Sequence, residues 1–239
     1  MDTRHSLLIT RQGTSVERVF LYHMRRAGGT SLRSYCQSPA RENGLQYNVV
    51  EGCSLDYDRY FAASPATLHV VCLRDPIDRI KSSYRFEGRW RQRETVCTAE
   101  TAKSFSSWEG ETRCDDGQSD VLWKCSENYY VKALIGYPRV VGSGVGRAEL
   151  DLAKRRLREF GLVLITESLS HSETAAYVRQ VLNFDMPIPH ERYPELERPE
   201  ASDEELFDAP TLVRLQEANQ LDFELYQEAK ELLQQRMGP

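Results

Sequence analysis

Long apolar runs are missing from this 239-residue chain. No stretch approaches the roughly 18 apolar residues that a membrane-spanning helix needs. The apolar run near the N-terminus, within MDTRHSLLIT, is too short for a signal peptide. The sequence therefore predicts a soluble, unprocessed protein with no membrane partner.

An excess of positive charge is missing as well. Lys and Arg number 31 against 36 Asp and Glu, which gives a net charge of −5 and a pI of about 5.7. Such a chain has no global electrostatic attraction to nucleic acid or to an anionic membrane. We therefore expect neither as a partner, and the arginine clusters along the chain have to act locally.

Paired cysteines of the CxxC type are absent too, which argues against a zinc site or a thioredoxin-like motif. Of the six cysteines, Cys36 and Cys72 lie in apolar patterns typical of core elements. Cys97, Cys114 and Cys125 lie in a polar stretch where a disulfide is open to them. We favour reduced thiols for these three.

The apolar sequence that is present suffices for one core. With 40% hydrophobic residues, the chain predicts a single domain over 1–239. Short β-favouring runs at 16–22, 47–50, 68–73 and 162–165 alternate with helical patterns at 29–36, 56–63, 127–136, 147–160, 171–182 and from Pro210 onward. This alternation predicts an α/β fold with a central parallel sheet of about four to five strands and helices on both faces.

The stretch 18–35 carries the first functional pattern, a short apolar run followed by a glycine-bearing turn and a helix start. Gly28 and Gly29 permit backbone angles that let successive N–H groups converge on an anion. Hydroxyl and guanidinium donors surround them, namely Thr30, Ser31, Arg25 and Arg26. The pattern predicts a phosphate-binding loop. It is not a Walker A loop, because Gly29 stands where that motif has its lysine.

The stretch 74–84 carries the second pattern and follows another predicted strand. Asp75 suits a helix cap and Pro76 suits the first helical turn, so Arg74 and Ser82 flank one helix. The carboxyl ends of parallel strands meet at one edge of a sheet, where ligands bind. We therefore expect both patterns on the same edge.

Both stretches resemble one known family. The residues 23–32, HMRRAGGTSL, resemble the 5′-phosphosulfate loop of the PAPS-dependent sulfotransferases, and in particular its carbohydrate-type branch, whose loop commonly reads HIPKTGGTSL. The residues 74–84 are similar to the family's pattern RDPxxRxxSxY. The resemblance extends over most of the chain but is specific only at these two stretches.

The resemblance implies a P-loop-like three-layer fold that uses PAPS as donor, releases PAP and needs no metal. It also implies the residues that bind the donor. The 5′-phosphosulfate would be held by Arg25, Arg26, Ala27, Gly28, Gly29, Thr30 and Ser31, and the 3′-phosphate by Arg74 and Ser82. One departure concerns catalysis: Arg26 stands where the family has a lysine that neutralises the leaving group, and arginine keeps the charge but cannot donate a proton.

Transfer to a hydroxyl also needs a base near the acceptor oxygen. In the heparan 2-O type enzymes a histidine follows the second strand, and the corresponding segment here appears as Glu51-Gly52-Cys53. Glu51 is therefore the candidate base. His23, within the loop motif, is a candidate for orienting the loop. His69 opens a buried strand and is expected to be structural.

Two further segments are candidates for contacting the acceptor or the nucleotide. Residues 94–125 are polar and irregular apart from a helical pattern around Phe105 and Trp108, and they predict an acceptor-side insertion or lid. Residues 186–205 form a Pro-rich loop whose arginines, Arg192 and Arg198, could reach the nucleotide. The basic run 85–93 could attract an anionic acceptor, and its Trp90 could stack on a sugar or aromatic ring, but we favour a solvated loop.

These patterns and the resemblance together predict an O-sulfotransferase that modifies a hydroxyl of a small molecule or glycan, as a monomer or homodimer. It is expected to be cytoplasmic or a soluble catalytic domain trimmed from a membrane-anchored parent. Two alternatives stay open. One is a nucleotide or small-molecule kinase in which Asp75 holds a metal ion, and the other is a module that binds PAP without catalysis.

Overall fold

The computed structural model describes residues 16–42, 44–51, 66–92, 105, 108–109, 113–115, 122–136, 144–182 and 207–238. In chain order the elements are β1 Arg18–His23, α1 Gly29–Glu42, β2 Gln46–Glu51, β3 Thr67–Leu73, α2 Pro76–Gln92, β4 Arg113–Asp115, β5 Leu122–Lys124, α3 Tyr129–Ile135, α4 Arg147–Glu159, β6 Leu162–Ile165, a 3₁₀ turn Thr166–Ser168, α5 Ser172–Leu182, α6 Ala209–Ala218 and α7 Gln220–Met237.

The central sheet contains four strands in the order β2-β1-β3-β6, and every neighbouring pair is parallel. Their carboxyl ends align: His23 lies opposite Glu51, and Leu73 lies opposite Ile165. The predicted α/β three-layer fold with a central parallel sheet is therefore confirmed.

The sheet owes its stability to burial on both sides. All seven residues of β3 and all four of β6 are buried, as are the four central residues of β1. Continuous apolar runs of this kind are typical of parallel strands covered by helices. Helix α1 packs against β1 and β2, and α7 packs against β6. The site at the strand ends is thus built on a rigid base.

The first helix is longer than the sequence predicted. We predicted a helix over 29–36, but α1 continues through Pro39 to Glu42. Ala40 is fully buried, so the apolar face extends past the proline. The helix ends in a Schellman motif: Gly44 has φ 68°, its N–H donates to the Arg41 carbonyl at 3.2 Å, and the Leu45 N–H donates to the Ala40 carbonyl at 2.7 Å.

Three other expectations of local structure were wrong. The basic run after residue 84 is helical, because α2 continues to Gln92. The insertion contains a small antiparallel pair, β4 with β5, where we expected irregular structure. The last helix is two helices, α6 and α7, because Asn219 turns its side chain inward and hydrogen-bonds the backbone of residues 126 and 128.

A second apolar cluster lies under the insertion. The Tyr84 ring makes edge contacts with Phe105, Trp108 and Phe207 at centroid distances of 5.3 to 5.5 Å. Leu215 and two isoleucines of α2, Ile77 and Ile80, complete this cluster. The predicted helical positions around Phe105 and Trp108 therefore serve as packing residues.

Cys36 and Cys72 are buried and free, as predicted. Cys125 is buried as well, whereas we had placed it in the polar insertion. Within the part of the chain that the structure describes, no helix is both long and apolar enough to cross a membrane. The predicted helix at 56–63, the Pro-rich loop 186–205 with its two arginines, and Cys97 lie outside the described residues.

Candidate functional site

Three segments meet at the carboxyl edge of the sheet. Residues 24–28 follow β1, residues 74–75 follow β3, and the 3₁₀ turn Thr166–Ser168 follows β6. The turn packs behind the glycine loop: a Cβ built on Gly28 would lie 3.3 Å from Thr166 Oγ1. The Thr166 hydroxyl donates in turn to the Leu73 carbonyl at 3.1 Å. Thr166 therefore links the glycine loop after β1 to the end of β3.

The glycine loop has the backbone geometry of an anion cradle. Gly28 has φ 74° and Arg26 has φ 61°, so two of its residues are left-handed. The first helical hydrogen bond runs from the Leu32 N–H to the Gly28 carbonyl at 3.1 Å. The N–H groups of residues 29–31 therefore lie at the positive end of α1 with no acceptor inside the helix. Such a turn is suited to a phosphate or a sulfate.

Gly29 is required by its neighbour. A Cβ at this position would lie 1.5 Å from His23 Cδ2, so the imidazole occupies the space that any side chain would need. His23 ends β1 and is half-buried. Its ring thus lies against the start of α1, which fits the predicted role of orienting the loop.

Arg26 connects the two sequence motifs. Its Nε donates to Ser82 Oγ of α2 at 3.1 Å, and its guanidinium lies 4.3 Å from the centre of the Phe86 ring. Arg26 and Ser82 are 56 positions apart in the sequence. The first motif and the second motif therefore face each other across the edge of the sheet.

Arg74 directly follows β3 and keeps 31% of its side chain exposed. Its Nε lies 4.0 Å from Glu167 Oε1. Glu167 also accepts a hydrogen bond from the Asp75 N–H at 3.0 Å and from the Tyr226 hydroxyl at 2.9 Å. This carboxylate is a site residue that the sequence analysis missed, although the Thr166-Glu167-Ser168 turn after a buried strand marks its place.

Asp75 acts as the N-cap of α2. Its Oδ1 accepts the N–H groups of Ile77 at 2.9 Å and Asp78 at 3.1 Å. The cap fixes where α2 begins, and so where Ser82 lies two turns later. The predicted cap is confirmed, and the carboxylate that the kinase alternative assigns to a metal already serves the helix.

The remaining predicted residues differ in what they can offer. Ala27 is fully buried, so that only its backbone can serve a ligand, whereas Thr30 is exposed and Ser31 is half-buried at the start of α1. Glu51 is the last residue of β2 and lies opposite His23 in the register. Its side chain lies outside the described part of the structure, so its role as base stays a prediction.

Hydrogen-bond donors from both sequence motifs lie at this edge of the sheet. Backbone N–H groups and the Arg25 and Arg26 guanidinium groups come from the β1 loop, while Arg74 and Ser82 come from the β3 side. Among the described residues no three His, Cys, Asp or Glu side chains converge as metal ligands. No family model matches this sequence, and no curated protein matches it significantly.

Proposed function

We propose that this protein is a PAPS-dependent O-sulfotransferase with a small-molecule or glycan acceptor, acting in the cytoplasm. The observation that carries the proposal is the hydrogen bond from Arg26 Nε to Ser82 Oγ. It joins a glycine-rich anion loop to a second phosphate motif, and two such centres suit a nucleotide with phosphates at both ends of its ribose. PAPS is a nucleotide of this kind.

The 5′ end of the donor belongs to the glycine loop. A Cβ on Gly28 would meet Leu169 and Thr166, and one on Gly29 would meet His23, so glycine at both positions lets the loop keep its tight turn at the start of α1. Arg26 is held near this turn by α2 and supplies charge for the phosphate that leaves when the S–O bond breaks. Its guanidinium therefore stands in for the lysine of the family pattern.

The 3′-phosphate belongs to Arg74 and Ser82. A serine hydroxyl has one hydrogen to donate and lone pairs to accept. Ser82 can therefore accept from Arg26 Nε while it donates to a phosphate oxygen. Glu167 lies 4.0 Å from the Arg74 guanidinium, so an incoming phosphate would share that guanidinium with a carboxylate. The shared arginine would keep the released PAP from binding too tightly.

The transfer itself moves a sulfuryl group between two oxygens. The acceptor hydroxyl oxygen attacks sulfur, the bond from sulfur to the 5′-phosphate oxygen breaks, and the acceptor proton passes to a base. In this proposal the base is Glu51, which ends β2 beside His23. The products are a sulfate ester, PAP and the protonated base.

A thermal-shift panel of PAP, PAPS, ATP and AMP, with and without magnesium, tests the proposal. We expect PAP and PAPS to raise the melting temperature without metal, at concentrations where AMP does not. Ligand at 100 times its dissociation constant stabilises a protein by about 2.7 kcal/mol. A magnesium-dependent shift with ATP, indifferent to the 3′-phosphate, would replace the proposal with a kinase. PAP binding without transfer to any acceptor would indicate a binding module.

Matched variants make the test specific to the site. Ser82→Ala should reduce the PAP shift, whereas Ser83→Ala should not, because the Ser83 hydroxyl is buried and finds no hydrogen-bond partner among the described residues. Arg74→Ala should abolish the PAP shift, while Arg155→Ala, which removes an exposed arginine of α4, should leave it intact. An unchanged shift in both Ser82→Ala and Arg74→Ala would break the assignment of the second motif.

A further inference from the structure

Two consecutive tyrosines of α3 reach both loops of the site. Tyr129 and Tyr130 are each fully buried, with ring centroids 5.5 Å apart. The Tyr129 hydroxyl accepts the Arg25 N–H at 2.9 Å. The Tyr130 hydroxyl accepts the Arg74 N–H at 2.9 Å and donates to the Arg74 carbonyl at 3.0 Å. One short helix is thus bonded to the backbone of both motifs.

The Tyr130 hydroxyl binds the backbone of Arg74 where a neighbouring strand would otherwise bind it. The ladder between β3 and β6 ends at the pair Leu73 and Ile165, so the next residue, Arg74, has no strand partner. A phenol that both accepts and donates satisfies the two backbone groups of Arg74 at once. It therefore fixes the direction in which the Arg74 side chain leaves the strand.

Two buried charged side chains contact the tyrosines and the start of α3. Asp222 of α7 accepts the Tyr130 N–H at 2.9 Å and the Val131 N–H at 3.0 Å. The Arg79 guanidinium lies 4.3 Å from the centre of the Tyr129 ring. Because both Asp222 and Arg79 are buried, the two hydroxyls have little freedom to move.

We infer that Tyr129 and Tyr130 are positioning residues for the two ends of the nucleotide. Tyr129 sets the β1 loop, and hence the 5′ end, whereas Tyr130 sets Arg74, and hence the 3′-phosphate. The assignment of nucleotide ends rests on the proposed function. Each hydroxyl is bonded to backbone groups of the loops, so both residues are assigned a role that acts through the loops.

Phenylalanine variants test the binding consequence, because they remove only the hydroxyl. By calorimetry, Tyr130→Phe should weaken PAP binding about three- to tenfold, the value of one to two neutral hydrogen bonds, and leave the weaker binding of AMP unchanged. Tyr129→Phe should weaken both nucleotides by the same factor. Tyr47→Phe is the matched control, since its buried hydroxyl on β2 makes no hydrogen bond within the described residues. Equal affinities in all three variants would overturn the inference.

Hydrogen exchange tests the positioning without any ligand. In Tyr129→Phe the Arg25 amide should exchange at least about tenfold faster while the Arg74 amide keeps its rate, and in Tyr130→Phe the pattern should reverse. Unchanged exchange rates at both amides would show that the tyrosine hydroxyls do not fix the backbone of the loops. If the exchange pattern appears but the wild-type protein does not bind PAP, the positioning role stands and the proposed function fails.

Discussion

Gly29 and His23 share a space that admits only one side chain. The imidazole fills it, and the glycine lets the first turn of α1 approach the end of β1. The clash of an added methyl group is with a ring held at the end of a strand, so relief would require moving the loop or the ring. The anion cradle therefore depends on Gly29, which has no side chain to offer a ligand.

We predict that Gly29→Ala destabilises the protein by about 1–3 kcal/mol and weakens PAP binding, since overpacking shifts the surrounding backbone. Gly144→Ala is the control, because a Cβ there meets nothing within 4 Å. Thermal denaturation and calorimetry provide the measurements. The double variant His23→Ala with Gly29→Ala should recover stability, and a stable, fully binding Gly29→Ala single variant would show that the imidazole moves freely.

Arg26 is held in a backbone region that side chains disfavour, with φ 61°. We predict that Arg26→Gly is more stable than Arg26→Ala by about 1 kcal/mol, because both lose the guanidinium contacts but only alanine keeps the backbone strain. Chemical denaturation of the two variants measures the difference. Equal stabilities would mean that the loop relaxes once the contacts to Ser82 and Phe86 are gone.

At the scale of elements, α2 is placed by its cap. We predict that Asp75→Ala lowers the free energy of unfolding by about 1 kcal/mol, because the N–H groups of Ile77 and Asp78 lose their acceptor. Asp75→Asn keeps an acceptor and should cost much less. Urea denaturation compares the three proteins. A loss as large in Asp75→Asn as in Asp75→Ala would assign the effect to charge, such as the interaction with the helix dipole, rather than to capping.

Most elements were predictable because their signals are local. The strands at 68–73 and 162–165 are continuous apolar runs in the sequence, and the Asp75-Pro76 pair by itself indicates the start of a helix. The same holds for the glycine turn. These features depend on neighbours in the sequence, which is where propensity and periodicity are informative.

The misses depend on contacts between distant residues. Asn219 interrupts the last helix because its amide bonds Ser126 and Asn128, more than 90 positions away. Glu167 joins the site through Arg74 and Asp75, again about 92 positions away. The turn after β6 marks where Glu167 lies, but no local pattern in the sequence shows which distant residues Glu167 and Asn219 bond. Tertiary structure alone brings these partners together.

At the scale of the whole molecule, a buried carboxyl group, Asp222, connects the last helix to the carboxyl edge of the sheet. Asp222 of α7 caps α3, whose tyrosines hold the loops, and it lies near Arg79 and Lys132. Burial raises the pKa of Asp222 to about 6, although the two backbone N–H groups and the two cations oppose this shift. Burial among Phe20, Tyr22 and Phe160, with a smaller contribution from Arg18, lowers the pKa of His69 to about 4.

These two groups link stability to pH with opposite signs. Between about pH 4 and 6 the folded protein keeps a proton on Asp222 that the unfolded chain has released, so lowering the pH stabilises the fold. In the same window the unfolded chain protonates His69 while the folded protein keeps it neutral, so lowering the pH destabilises the fold. The contributions of the two groups therefore nearly cancel in the wild-type protein.

We predict that single variants separate the two contributions. Relative to wild type, His69→Phe should gain stability as the pH falls from 6 to 4, at up to about 1.4 kcal/mol per pH unit, because only the Asp222 linkage is left uncancelled. Asp222→Asn should lose stability over the same window at a similar slope, beyond a constant cost from the weakened cap of α3. Urea denaturation at several pH values measures both slopes. If both variants ran parallel to wild type, neither group would titrate in the window. If only one variant ran parallel to wild type, the side chain replaced in it would keep its ordinary pKa in the folded protein.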